Sequence, residues 1–496
     1  MADHDLSPAQ FGTAFKAFMD AVVAAASPPT SPLLERLRAH LGTDPTQLPV
    51  VSEEFDVFEH PNVQVALDTY LEVPGRRAEI VGVAADNKRF MVFGLSDLIS
   101  RRGNPNVPPL TEGPVDYVNF HLARGRILTC VQIGLHLIAE GDSRLVALVT
   151  GPSEHGPRPK VRVEVLAADR EAAQAFLAEL VETMARRNVY RGEVISISPG
   201  QFGPGPQSLV AFHNLPNVGR DDVVLPDGVL ERIERHTITF AEHAEQLLAA
   251  GRSLKRGLLM YGPPGVGKTL TVMHLVGRMP SRTTILTTGI GMGLFKAVAQ
   301  FARTLAPAMV VLEDVDLIAE ERNRPFAGGP LLFELLNEMD GLRDDCDVIF
   351  VLTTNRPEIL EPALAARPGR IDLAVELPLP DAAGRRRLLN LYAHGLDVQD
   401  ADLEALVQRT DGASPAYIKE LLRKAAIFAA ADGAGMTVTA AHIDAALAEL
   451  AEGGRLAQRL LGFHVPGEPP QSFQPHPMGF PPGKMPPMPP TQPRRT

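Results

Sequence analysis

The run Gly262-Pro-Pro-Gly-Val-Gly-Lys-Thr269 constrains this chain more than any other stretch, because of what flanks it. An apolar segment, 257–261, precedes it, and 270–276 follows in helical spacing. A buried strand, a glycine-rich turn and a helix in that order turn backbone N–H groups inward around a phosphate, with the positive end of the helix behind them. Lys268 then reaches the β- and γ-oxygens as a point charge, and Thr269 offers a hydroxyl to Mg²⁺. Gly262, Pro263, Pro264, Gly265, Val266, Gly267, Lys268, Thr269 and Leu270 are therefore the candidate nucleotide-binding residues.

A phosphate loop needs a carboxylate on a neighbouring strand to hold the metal. The apolar run 309–312 ends in Glu313-Asp314-Val315-Asp316, which supplies it. Carboxylates at the end of a buried strand are costly unless a metal or water satisfies them. A third apolar run, 348–352, ends in Thr353-Thr354-Asn355, and an amide there can hydrogen-bond an attacking water or a γ-phosphate.

The rest of the 496 residues divides by pattern. An amphipathic segment at 11–26 is cut off by SPPTSP, since proline removes a donor and disfavours helix before it, so 1–50 reads as a loosely attached arm. From 51 to 200 the pattern is α+β: helical spacing at 62–71, strands at 78–84, 88–93, 126–138, 143–150 and 160–166, and a helix over 169–187 with Asp169 as its N-cap. The turn-rich 201–222 reads as a linker. Between 223 and 384 apolar runs alternate with helical patterns, the signature of a parallel sheet covered by helices. A small helical domain follows at 385–460, and the proline-rich 461–496 cannot bury a core. The fold class is α/β: a phosphate-loop parallel sheet with flanking helices and a small helical domain, preceded by an α+β domain.

Composition excludes several classes. Basic residues number 48 against 59 acidic, net −11, which argues against nucleic acid as partner. Two cysteines far apart support neither a disulfide framework nor a zinc site. No stretch approaches the ~20 apolar residues of a membrane span, and the amino terminus lacks a signal pattern, so the expected location is cytoplasmic.

Residues 223 to about 455 resemble an ATPase module of the AAA family. The resemblance runs through the phosphate loop, the acidic strand end, Asn355 in the place of the polar sensor, and Pro362-Ala-Leu-Ala-Ala-Arg-Pro-Gly-Arg370-Ile-Asp372. It implies that Arg367 and Arg370 act as arginine fingers on the nucleotide of a neighbouring subunit, and that Pro415 and Ala416, in a turn similar to the family's lid motif, border the base and ribose. The family usually has Asp then Glu at the strand end. Here the order is Glu313 then Asp314, as in some branches, and matching Asp316 to the family's later aspartate assigns Glu313 to Mg²⁺ and Asp314 to the attacking water.

The resemblance implies Mg²⁺-dependent ATP hydrolysis by a homo-oligomeric ring, six subunits being expected, that remodels or unfolds a protein client. Residues 51–200 are the candidate for engaging that client, and the proline-rich tail reads as a solvated spacer or as a segment suited to docking in an aromatic groove. The alternative is a nucleotide-regulated assembly protein with slow or no turnover. A Gly-rich apolar stretch, 287–295, stands where threading members place a pore loop. The sequence contains no HExxH, which argues against an intrinsic metalloprotease.

Overall fold

The computed structural model describes residues 8–26, 32–84, 94–99, 111–152, 160–197, 210–288, 295–316, 345–358, 360, 370–399 and 403–452. It divides into two compact units, Met1–Leu379 and Pro380–Thr496.

The first unit begins with α1 (Pro8–Ala26) and α2 (Pro32–Leu41). Within the arm expected over 1–50, α2 is packed into a core. Leu33, Leu34 and Leu37 of α2 are fully buried against a sheet, in one core with Leu95 and Leu98 of a short later helix. Burying each leucine contributes about 1.5–3 kcal/mol, enough to hold a ten-residue helix in place.

That sheet comprises β1 (Val50–Phe55), β2 (Arg76–Ala84), β3 (Thr111–Gly113), β4 (Asp116–His121), β5 (Ile127–Glu140), β6 (Ser143–Thr150) and β7 (Val161–Ala167). The order is β1-β7-β6-β5-β2-β3, with β4 also on β5, and every pairing is antiparallel. Helices cover both faces. On one side α3 (His60–Leu71) and α5 (Arg170–Arg186) pack Val63, Leu67, Phe176 and Leu180 onto the strands; on the other lie α2 and α4 (Leu95–Ile99). Burial on both faces explains why Leu145–Val149 reads as a continuous apolar run instead of an alternating one. Asp169 caps α5, its carboxylate accepting from Ala172 N at 2.8 Å, as its position predicts. The strand expected at 88–93 lies outside the described residues.

The second sheet contains β8 (Val194–Ile197), β9 (Val210–Phe212), β10 (Arg256–Tyr261), β11 (Thr283–Thr288), β12 (Ala308–Glu313), β13 (Val348–Thr354) and β14 (Leu373–Glu376), in the order β14-β10-β13-β12-β11-β8-β9. All neighbours are parallel except the antiparallel β8–β9 edge. This sheet reaches further upstream than the expected domain limits. β8 lies before residue 201 and β9 inside the expected linker 201–222, yet both pair into it. A four-residue strand such as β8 carries no local pattern that says which sheet it joins.

Upstream of β10, α6 (Val229–Glu234) runs through a π turn into α7 (Phe240–Glu242) and α8 (Ala244–Ala249). Lys268–Arg278 forms α9 and Phe295–Thr304 forms α10. α9 and α10 belong to different apolar clusters. Leu275 and Val272 sit with Met260, Met309 and Val351, while Phe301 and Ala302 sit with Leu259, Val310 and Phe350, so the strands are buried from both sides.

The second unit contains α11 (Ala382–Tyr392), α12 (Leu403–Arg409), α13 (Pro415–Ala431) and α14 (Ala440–Glu452), with a two-residue parallel pair, β15 (Asp397–Val398) and β16 (Thr437–Val438). Ser414 caps α13 by accepting from Tyr417 N at 3.1 Å, with Pro415 as the first helical residue.

Candidate active site

β10, β13 and β12 are consecutive neighbours in the sheet, so their carboxyl ends bring three sequence-distant segments together. The phosphate loop follows β10, Asn355 follows β13, and Glu313 closes β12 with Asp314 next. Ligands of parallel sheets bind at this edge.

The loop's glycines are needed for two separate reasons. Gly262 has φ +149, and a Cβ there would stand 2.1 Å from the Leu377 carbonyl. Gly267 has φ +101 and occupies the N-cap of α9, where the chain turns so that the helix begins under the loop. Lys268 opens that helix with its side chain curled inward, Nζ donating to the carbonyls of Gly262 and Pro263, each at 2.8 Å. Only 7% of Lys268 is exposed. Burial pushes its ammonium pKa down to about 8, against the opposing pull of Asp314 and Asp316.

A buried ammonium with that pKa gives the site a pH dependence of definite sign. Phosphate binding favours the protonated lysine, so raising the pH from 7 to 9 removes charge from the free site and weakens nucleotide binding by up to about tenfold. Titration of a fluorescent ADP analogue at the two pH values checks this; equal affinities would contradict the role given to Lys268.

Glu313 and Asp314 part company at the strand end. Glu313 Oε1 is buried and has no hydrogen-bond partner among the described residues. An orphaned carboxylate oxygen beside a phosphate loop fits a hard divalent cation, which takes few protein ligands and completes its shell with phosphate oxygens and water. Thr269, one residue beyond Lys268, is exposed and could offer a second protein oxygen. Glu313 and Thr269 would thus hold Mg²⁺.

Asp314 is exposed, where water can reach it, and its backbone is left-handed at φ +49. For a non-glycine residue this conformation costs on the order of 1–2 kcal/mol. Two groups at the end of β13 hold it: Asp314 N donates to Thr353 Oγ1 at 3.2 Å, and Asn355 Nδ2, one residue past the strand, donates to Asp314 Oδ1 at 3.1 Å. Asp316 is buried and anchors the same turn, its Oδ1 accepting from Thr354 Oγ1 at 2.8 Å and from Asn355 N at 3.4 Å.

Thr353 and Thr354 were not among the residues singled out for chemistry in the sequence. Two threonines closing an apolar strand beside a candidate amide are their only signal.

The remaining candidates are placed differently. Arg370 leads into β14, and burial lowers its guanidinium pKa. Its carbonyl lies against Gly257, where a Cβ would come within 2.0 Å of it, and Asp372 closes the contact with Asp372 N donating to Gly257 O at 2.9 Å and Gly257 N donating to Asp372 Oδ2 at 3.0 Å. Gly257→Ala therefore forces β10 and the Arg370 segment apart, and we expect it to destabilise the fold by about 1–3 kcal/mol in chemical denaturation. An unchanged midpoint would show that this close approach is not required. Arg367 lies outside the described residues, as do 289–294, the heart of the expected pore loop. Pro415 and Ala416 open α13 in the second unit.

α9 is tied back to the preceding segment by His274, fully buried, with Nδ1 3.1 Å from Val218 O and Nε2 3.1 Å from Glu234 Oε1. The helix that carries Lys268 and Thr269 is thus pinned on its far side.

A phosphate loop, an acidic strand end and a polar amide on three adjacent parallel strands define the geometry of a P-loop nucleotide-binding site. Residues 258–379 match the ATPase family associated with various cellular activities (AAA), and residues 400–445 match the AAA+ lid domain. The likeness to the AAA family thus lies in this module and its lid. Its relatives include the ATP-dependent zinc metalloprotease FtsH of Rhodococcus erythropolis, 32% identical over 239 residues, which are 45% of this chain and 28% of that protein. A second FtsH, FtsH 3 of Synechocystis, is 33% identical over 239 residues, 45% of this chain and 37% of the relative. The proteasome-activating nucleotidase of Thermococcus onnurineus is 29% identical over 303 residues, 54% of this chain and 74% of that one. The match spans only about a third of the length of the FtsH relatives.

Proposed function

We propose that this chain is an Mg²⁺-dependent ATPase that works as a homo-oligomeric ring, expected to have six subunits, and uses hydrolysis to remodel or unfold a protein client. The observation that carries the reading is the meeting of Lys268, Glu313, Asp314 and Asn355 at the ends of three adjacent parallel strands. The relatives' names support it: the FtsH proteins are called ATP-dependent, and the Thermococcus relative a nucleotidase.

Each residue then has a task. The N–H groups of the loop and the start of α9 bind the phosphates, and Lys268 exchanges its two carbonyl partners for phosphate oxygens. Glu313 and Thr269 would hold Mg²⁺, which when bound would supply positive charge to the nucleotide's phosphates. Asp314 accepts a hydrogen bond from the attacking water and polarises it, and Asn355 fixes the carboxylate and the water relative to each other. Arg370, with Arg367, is assigned to the neighbouring subunit's nucleotide, where a guanidinium stabilises charge on the γ-phosphoryl and makes turnover depend on assembly. Pro415 and Ala416 are assigned to the base and ribose.

The seven-stranded antiparallel domain upstream is our candidate for client engagement, with the proline-rich tail as a second docking segment. No described helix is long and apolar enough to cross a membrane, and we place the protein in the cytoplasm. The reading is tested by phosphate release from ATP with Mg²⁺ and with a chelator. It requires release in the first case and its loss in the second; nucleotide binding without release under any metal condition would leave a nucleotide-regulated assembly protein in its place.

A further inference from the structure

We propose that Thr353 is a positioning residue for hydrolysis: its hydroxyl holds the Asp314 backbone in the left-handed turn that delivers the carboxylate to Asn355. The inference rests on the reading of Asp314 as the group that polarises water.

The argument starts from side-chain length. An aspartate carboxylate is one carbon from Cβ, so two torsions and the backbone decide where it lies, and little freedom remains to absorb a backbone rotation. At Asp314 the backbone is at φ +49, a region that non-glycine residues avoid and keep only when their surroundings enforce it. Returning φ to the ordinary negative range would swing Cβ and the carboxylate away from β13. The contact between Asn355 Nδ2 and Asp314 Oδ1, 3.1 Å in this structure, would be lost.

What enforces the turn is visible at its amide. Asp314 N donates to Thr353 Oγ1 at 3.2 Å, on a residue only 2% exposed, so bulk water is poorly placed to replace it. Thr353 is itself fixed inside the sheet, paired in register with Met260 of β10, the strand that runs into the phosphate loop. The hydroxyl thus transfers the position of the loop's own strand to the backbone of Asp314. One residue on, Thr354 Oγ1 donates to Asp316 Oδ1 and accepts from Arg356 N at 2.9 Å, which fixes the turn carrying Asn355. The carboxylate and its amide partner are therefore set by neighbouring threonines of one strand end, through separate hydrogen bonds.

The test compares two variants of the full chain. Thr353→Val keeps the shape and removes the acceptor, whereas Thr353→Ser keeps the acceptor. Steady-state hydrolysis of Mg·ATP gives kcat and KM, titration with a fluorescent ADP analogue gives affinity, and the thermal midpoint reports the fold. We expect Thr353→Val to lower kcat about tenfold or more with KM and ADP affinity within twofold of wild type, and Thr353→Ser to keep at least half of kcat. A role confined to packing predicts instead that both variants lose midpoint and activity together, and that result overturns the proposal. So does a Thr353→Val protein with wild-type kcat, while the wild-type hydrolysis beside it leaves the ATPase reading intact. A wild-type chain that binds nucleotide and never hydrolyses it overturns the ATPase reading and this proposal with it.

Discussion

Asp314→Asn binds ATP with near wild-type affinity and hydrolyses it at least about 100-fold more slowly, the loss expected when a positioned general base is removed. The substitution isolates the charge. Asparagine tolerates the left-handed backbone about as well as aspartate, and its amide oxygen still accepts from Asn355 Nδ2, so the turn at φ +49 and the contact to β13 survive. What disappears is the negative oxygen that polarises water. Single-turnover hydrolysis with bound ATP, measured beside equilibrium binding, separates the two effects. Wild-type turnover in this variant would remove Asp314 from the chemistry and send the search to Glu313.

Lys268→Ala loses nucleotide binding, by about 100-fold or more in affinity. The ammonium makes two hydrogen bonds to loop carbonyls at 2.8 Å, and exchanging them for charge-assisted bonds to phosphate gains about 3 kcal/mol, which corresponds to roughly two orders of magnitude. Alanine also leaves the Gly262 and Pro263 carbonyls without their donor, so the empty loop loses a clamp as well as a charge. Equilibrium titration with an ADP analogue reads the affinity, and the thermal midpoint shows whether the loop's loss spreads to the fold. Affinity within a few-fold of wild type would mean that backbone N–H groups alone carry the phosphates.

The parts of this account legible in the sequence are those with a local physical cause. Three apolar runs ending in Tyr261, Glu313 and Thr354 are strands because they are bounded and buried, and the polar residues after them had to meet at one edge of a parallel sheet. Asp169 announced its helix because a cap acts on the very next turn. Other features depend on partners distant in sequence. The leucine stripe of α2 follows a proline-rich break that looks like a tether, and only a sheet assembled from residues 50–167 shows what it covers. β8 and β9 straddle a Gly- and Pro-rich segment that reads as a boundary, and the pairing of β8 with β11 and of β9 with β8 is a tertiary fact with no local trace. Thr353 is the sharpest case. A threonine closing an apolar strand is ordinary β-former chemistry, and its meaning appears only when the amide of Asp314, 39 residues away in sequence, is found on its hydroxyl.

The swapped acidic pair is where sequence and geometry inform each other most. Order alone permits either carboxylate on the metal. Glu313 Oε1 is buried with no hydrogen-bond partner among the described residues, whereas Asp314 is exposed and engaged by Asn355. That division of environments is what supports our proposal of the metal for Glu313 and the water for Asp314.

The central claim, a competent site completed by a neighbouring subunit, is tested most directly by the rate of ATP hydrolysis with Mg²⁺ as a function of protein concentration, with the particle mass measured in the same solutions with and without ATP. The account predicts a specific activity that rises as the ring forms and is lowered by Arg370→Ala while nucleotide stays bound. A specific activity independent of concentration across the assembly range, or a fully assembled particle that binds ATP and releases no phosphate, would contradict it.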